Sequence, residues 1–161
     1  MKKLLLLLLV LLVGCTHASE EQQVIEEFLS LKSDLYQHQE EVMKTMSTTN
    51  DLEKSEKNED VFSEIKSKVD EDAFERLLAN RMIIDEPLLS GKYDKSEIKD
   101  IKIKSIDSEE DNAVYYVTYR EDLFKDDQKK KSQNQKFGFT LTKRNGQWKI
   151  FDIRPIEEEE N

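Results

Sequence analysis

The sequence predicts an α+β domain, with N-terminal helices packed on one face of a curved antiparallel four-stranded sheet. Three observations carry this. Apolar residues recur every three or four positions through the first half of the chain and every second position in the latter part. The change of period falls after Pro87 and Gly91, which close the helical part. Near the C-terminus, Asn145-Gly146 separates two alternating runs, and a type I′ turn favours Asn-Gly because both central residues need positive φ. Helices first and an antiparallel meander second is an α+β order.

The chain opens with Met1-Lys2-Lys3, an apolar run from Leu4 to Val13, and Gly14-Cys15. A basic head, a short apolar stretch and a small residue before the cut describe a secretory signal peptide. The run is too short to span a bilayer, which takes about 20 residues. Leu12-Val13-Gly14-Cys15 closely resembles the signals of bacterial lipoproteins. That resemblance implies cleavage before Cys15 and a diacylglyceryl group, with palmitate-type chains, on its sulfur. Two chains meet the requirement for stable anchoring. The expected division is 1–14 signal peptide, 15–19 lipidated cysteine and spacer, 20–156 one α+β domain, and 157–161 acidic tail. The expected place is outside the cytoplasm, tethered to the membrane.

Cys15 is the only cysteine, so neither an internal disulfide nor a thiolate metal site is expected. The net charge is −10, and loss of Lys2 and Lys3 makes it more negative. Such a body repels nucleic acid, which is excluded as a partner.

The first helix starts at Ser19-Glu20-Glu21-Gln22, a capping box with two acids at the positive end of the helix dipole. Val24, Phe28, Leu31, Leu35, Val42 and Met46 form its apolar stripe, broken at His38, and predict roughly 25 helical residues. His38 itself is expected to be partly buried in that seam. The polar stretch Ser47-Thr48-Thr49-Asn50 ends the helix. The segment Asp51 to Asp60 is almost wholly charged and reads as a loop or a solvated helix. Phe62, Ile65 and Val69 share a face in a second short helix. Asp70 caps a third, with Glu71 and Asp72 in its first turn and Phe74, Leu77, Leu78 and Met82 as its stripe.

The strands follow. Ile101 and Ile103 alternate with lysines, so Lys99 to Ile106 reads as a strand, and Asp107 to Asn112 as an acidic turn. Ala113 to Tyr119 is dense in β-branched and aromatic residues. Glu121 to Gln135 is polar and reads as a long hairpin connection. Lys136 to Lys143 and Gln147 to Arg154 flank the Asn-Gly turn.

A long first helix, shorter ones, then strands closing on Asn145-Gly146-Gln147-Trp148-Lys149-Ile150 resemble the nuclear transport factor 2-like (cystatin-like) cone, here in a bacterial lipoprotein. The resemblance implies that the concave sheet face can form a ligand pocket, and in isomerases of that superfold an active site.

A two-residue turn pairs Lys143 with Trp148 and Leu141 with Ile150; continued in phase, it pairs Phe139 with Asp152 and Phe137 with Arg154. Phe137, Phe139, Leu141, Trp148, Ile150, Asp152 and Arg154 then share the core-facing side, and Phe151 and Ile153 the outer side. Asp152, Arg154, Trp148 and Phe139 are accordingly the candidate pocket rim. Asp152 and Arg154 read either as the polar anchor of a small ligand or as an ion pair at a strand end. Phe151 and Ile153 are the candidate partner surface, serving a second copy in a homodimer or a different protein.

Asp107, Glu109 and Asp111 begin like a calcium loop, but Asn112 and Thr118 stand where glycine and glutamate are needed. No metal, cofactor or catalytic residue is expected. The expected function is non-catalytic binding of a protein partner or small ligand by a membrane-anchored domain. The alternatives are an isomerase-like enzyme in the cone and a purely structural envelope lipoprotein.

Overall fold

The computed structural model describes residues 18–48 and 61–156. Cys15, the segment Asp51 to Asp60 and the acidic tail lie outside them.

The described chain is α+β. Helix α1 spans Glu20–Asp34, a 3₁₀ turn covers Leu35–His38, and α2 spans Gln39–Thr48. The expected capping box is present: Gln22 N donates to Ser19 Oγ, and Ser19 N donates to Gln22 Oε1. Such a cap contributes about 1 kcal/mol. The long helix changes winding where the stripe breaks. Tighter 3₁₀ winding carries Leu35 and Tyr36 both into the core. It also turns His38 outward, correcting the expectation of a seam histidine: its ring lies 3.6 Å from Glu41 with 56% of its side chain exposed.

Helix α3 (Ser63–Lys68) buries Ile65, while Phe62 and Val69 at its ends are buried too. Helix α4 (Glu71–Ala79) begins at Asp70, whose carboxylate accepts from Asp72 N at 3.1 Å. Leu78 and Met82, expected on its stripe, are only half-buried, whereas Ala73, Phe74 and Leu77 are buried. A short α5 (Glu86–Leu89) is capped by Asp85 and carries Pro87 in its first turn.

Four strands then form one antiparallel sheet in chain order: β1 (Lys95–Ser108), β2 (Asn112–Lys125), β3 (Gln128–Arg144) and β4 (Gln147–Pro155). Glu121 to Gln135 is therefore not a connection. Lys125 pairs with Gln128 across a two-residue turn, Asp126-Asp127, with φ of 50° and 58°. Aspartate tolerates this left-handed backbone, though less readily than Asn-Gly, which hid the turn.

Helix α1 lies over the inner face of the sheet. Ile25, Phe28 and Leu29 meet a floor of Tyr115, Val117, Phe139, Leu141 and Ile150, all buried. Phe28 and Phe139 meet edge-on at 6.1 Å.

The outer edges of the sheet differ. Val69 bridges in parallel to Ile150, and Asp70 N donates to Ile150 O, so the α3–α4 junction covers β4. Strand β1 is the opposite edge. Its two bulges, at Lys99/Lys102 and Ser105/Asp107, break the regular ladder. Bulges and lysines on an edge discourage strand addition.

The β3–β4 register departs from a regular ladder. Arg144 to Leu141 pair with Gln147 to Ile150 as expected. Beyond them Thr140 pairs with Asp152, Phe139 with Ile153, and Gly138 with Arg154. A bulge at Phe151 inserts one residue and reverses the phase of the strand end.

Candidate functional site

The bulge rearranges every candidate beyond Ile150. Ile153 turns inward and is 6% exposed, so it lies in the core and not on the expected partner surface. Phe151 remains outside at 38% exposure, with the Arg76 guanidinium 5.2 Å from its ring centre. Asp152 and Arg154 move to the outer side, opposite Thr140 and Gly138.

Asp152 is held by two cations. Arg76 donates to Oδ1 and Arg154 Nε to Oδ2, each at 2.5 Å, and Arg76 also donates to Phe151 O at 2.7 Å. Of the two readings, the geometry shows the ion pair at a strand end, joined to α4. Phe139 is floor of the core at 1% exposure, and no rim residue. Trp148 is buried beneath the Lys143 ammonium, 5.5 Å from its ring. It borders a groove of about 480 Å³ between the start of α1 and the β3–β4 turn.

The densest group of buried polar side chains lies elsewhere, at the other end of the inner face. Lys32 on α1 points inward, its Nζ 3.2 Å from Asp85 Oδ2. Tyr36, from the 3₁₀ turn, donates its hydroxyl to Asp85 Oδ1 at 2.9 Å. The same carboxylate accepts from Leu88 N at 3.1 Å and so caps α5. On the sheet, Glu121 accepts from Ser96 Oγ at 2.9 Å, Gln133 Nε2 at 2.8 Å and Gln135 Nε2 at 3.3 Å.

These groups set one another's protonation. Burial disfavours the Lys32 ammonium, but Tyr119, Asp85 and Glu121 overcome it and raise its pKa above the ordinary 10.5. Burial, then the field of Asp85, raises Tyr36 above 10.0. Burial pushes Tyr119 up to about 12. At neutral pH the lysine is charged and both tyrosines are phenols, so none is poised as a base or nucleophile. The arrangement clamps α1, the 3₁₀ turn and α5 together through Asp85.

A signal for this cluster existed. Lys32 sits four residues after Phe28, on the apolar stripe, and Glu121 continues the inward parity of Tyr115, Val117 and Tyr119. Asp85-Glu86-Pro87 is a helix start.

The outer sheet face has a different character. Lys102 and Lys104 on β1 pair with Thr118 and Tyr116, and Lys99 with Arg120. Arg154 lies across Gly138 from Tyr116. Acids on this side are mostly enclosed by cations. Asp122, 2% exposed, accepts from Ser132 Oγ at 2.6 Å and Lys99 at 3.4 Å, with Arg120 at 3.5 Å. The Ser132 bond first, and these cations next, hold its carboxyl below the usual range. Tyr116 and Phe124 are half-buried, and Ile156 is 39% exposed.

Among the described residues no cluster fit to hold a metal ion occurs, and no helix is long and apolar enough to cross a membrane. No family model matches the chain, and no curated protein sequence matches it.

Proposed function

We propose that this chain is a membrane-tethered extracytoplasmic lipoprotein whose domain, a nuclear transport factor 2-like cone, binds a protein partner without catalysis. One observation carries the reading: the concave side of the sheet is filled by the protein's own side chains, while its outer face carries half-exposed aromatics and cations. Phe139, Leu141 and Ile150 are at most 1% exposed beneath α1, and both carboxylate oxygens of Asp152 are taken by arginines. An isomerase-like site would need Asp152 beside a tyrosine hydroxyl, and its partners are guanidinium groups instead. The helix-first order and the closing hairpin with Trp148 support the cone.

The lipobox supports the tether. From Cys15 to the Ser19 cap the chain reaches at most ~14 Å. The start of α1 and the β3–β4 turn share one groove, so that end would face the membrane. The Asp126-Asp127 turn would project away and the sheet face would stand free.

Two measurements on the full chain test this. Labelled fatty acid is expected to join the protein and to be lost in Cys15→Ala. A photo-crosslinking residue in place of Tyr116 is expected to give one discrete adduct in cells, with none from Glu26 on α1. Absence of label overturns the tether, and absence of an adduct from the sheet overturns the binding reading.

A further inference from the structure

Resting on that reading, we propose that the outer face of the sheet docks an acidic polypeptide. The first ground is charge. The whole chain carries −10, yet the register gathers Lys95, Lys99, Lys102 and Lys104 on one row of this face, with Arg120 on β2 and Arg154 on β4. Glu97, Asp100, Asp107, Asp122 and Asp152 share the face, and all but Asp107 are engaged by cations from it or from α4. Cations therefore outnumber acids here, and the negative excess lies on the rest of the molecule. A docking partner senses mainly charges within a Debye length of about 10 Å, so the local sign outweighs the net sign.

The second ground is shape. Lys104, Tyr116, Gly138 and Arg154 follow one another across the four strands. Gly138 leaves a dip in this row, with Ile156 Cδ1 3.8 Å from the place a Cβ would occupy. A tyrosine beside an apolar dip, rimmed by cations, suits an inserted side chain flanked by carboxylates. A bilayer fits less well, because a four-stranded sheet twists by roughly 20–25° per strand and presents no plane. A second copy docked face to face would set lysine against lysine.

The test measures anisotropy of a fluorescent Glu–Tyr copolymer with the full chain in neutral detergent. The expected result is saturable binding that weakens at least ~10-fold in K102E/K104E and weakens further as salt shortens the screening length. Lys92→Glu, in the loop before β1, is expected to stay within about twofold of the unaltered chain. Both lysines are exposed, and an unchanged thermal midpoint verifies that the variant folds. Equal binding by K102E/K104E, no binding of the copolymer, or lysine-dependent binding to phosphatidylglycerol vesicles alone overturns the proposal. So does self-association abolished by K102E/K104E. A crosslink from position 116 that survives K102E/K104E overturns the acidic partner while leaving the binding reading intact.

Discussion

Lys32 and Asp85 form an ion pair inside the protein, Nζ to Oδ2 at 3.2 Å, with 9% and 17% of their side chains exposed. Lys32 lies on α1 and Asp85 caps α5, and Tyr36 closes the triangle. Removing one partner leaves the other charge buried, which typically costs about 3–5 kcal/mol. Asp85→Ala is therefore expected to lower stability by about 3 kcal/mol or more, since it also removes the α5 cap. Tyr36→Phe is expected to lower it by about 1 kcal/mol. Urea denaturation of the purified domain checks both. Parity of the two variants would contradict the triangle.

The same cluster predicts an alkaline limit. Lys32 holds its proton more tightly folded than unfolded, so its contribution is whole below 10.5 and is lost as the pH climbs through the raised folded value. The tyrosines act in the same direction. Unfolded chains release phenol protons near 10.0, whereas folded Tyr119 keeps its proton to about 12. The urea midpoint is expected to hold to about pH 10 as far as these groups contribute and then to fall, and Tyr119→Phe is expected to make the fall shallower. A fall that Tyr119→Phe leaves unchanged would count against the assignment.

The bulge in β4 makes neighbouring residues unequal. Ile153→Ala empties a core position and is expected to cost about 2–4 kcal/mol. Phe151→Ser removes an outward ring under Arg76 and is expected to cost about 1 kcal/mol or less. The in-phase hairpin puts both on the outer side and predicts that both cost little. Thermal denaturation of the pair separates the two registers.

The Asp126-Asp127 turn offers a stabilising change. Both residues adopt positive φ, a conformation that glycine takes without steric penalty. Asp127→Gly is expected to raise stability by roughly 0.5–1 kcal/mol. No gain, with the hairpin amides unchanged by NMR, would mean that the aspartate is favoured there by a bond of its own.

Asp152 distinguishes its two roles without reference to any ligand. Held by Arg76 and Arg154, it is expected to cost about 1–3 kcal/mol as Asp152→Ala. Arg154→Ala is expected to stay within about 0.5 kcal/mol, since 83% of that side chain is exposed. If Asp152→Ala left stability unchanged, the carboxylate would have to be kept for something other than the strand end.

Signals between near neighbours carried the elements: the Ser19 box, the Asp70 cap, the Asn145-Gly146 turn, and the order of helices before strands. Each rests on groups within about four residues, so a linear reading contains all the atoms involved. The phase of β4 after Ile150, the inward course of Lys32 and Glu121, and the outward turn of His38 have another origin. They depend on Arg76 reaching Asp152, Asp85 reaching Lys32, and a helix tightening to bury Tyr36. Those partners lie tens of residues apart, and an alternation of period two holds no record of where one residue is inserted. Hydrogen bonds and buried charges across the packed layers settled these positions, and with them which face of the sheet was left open.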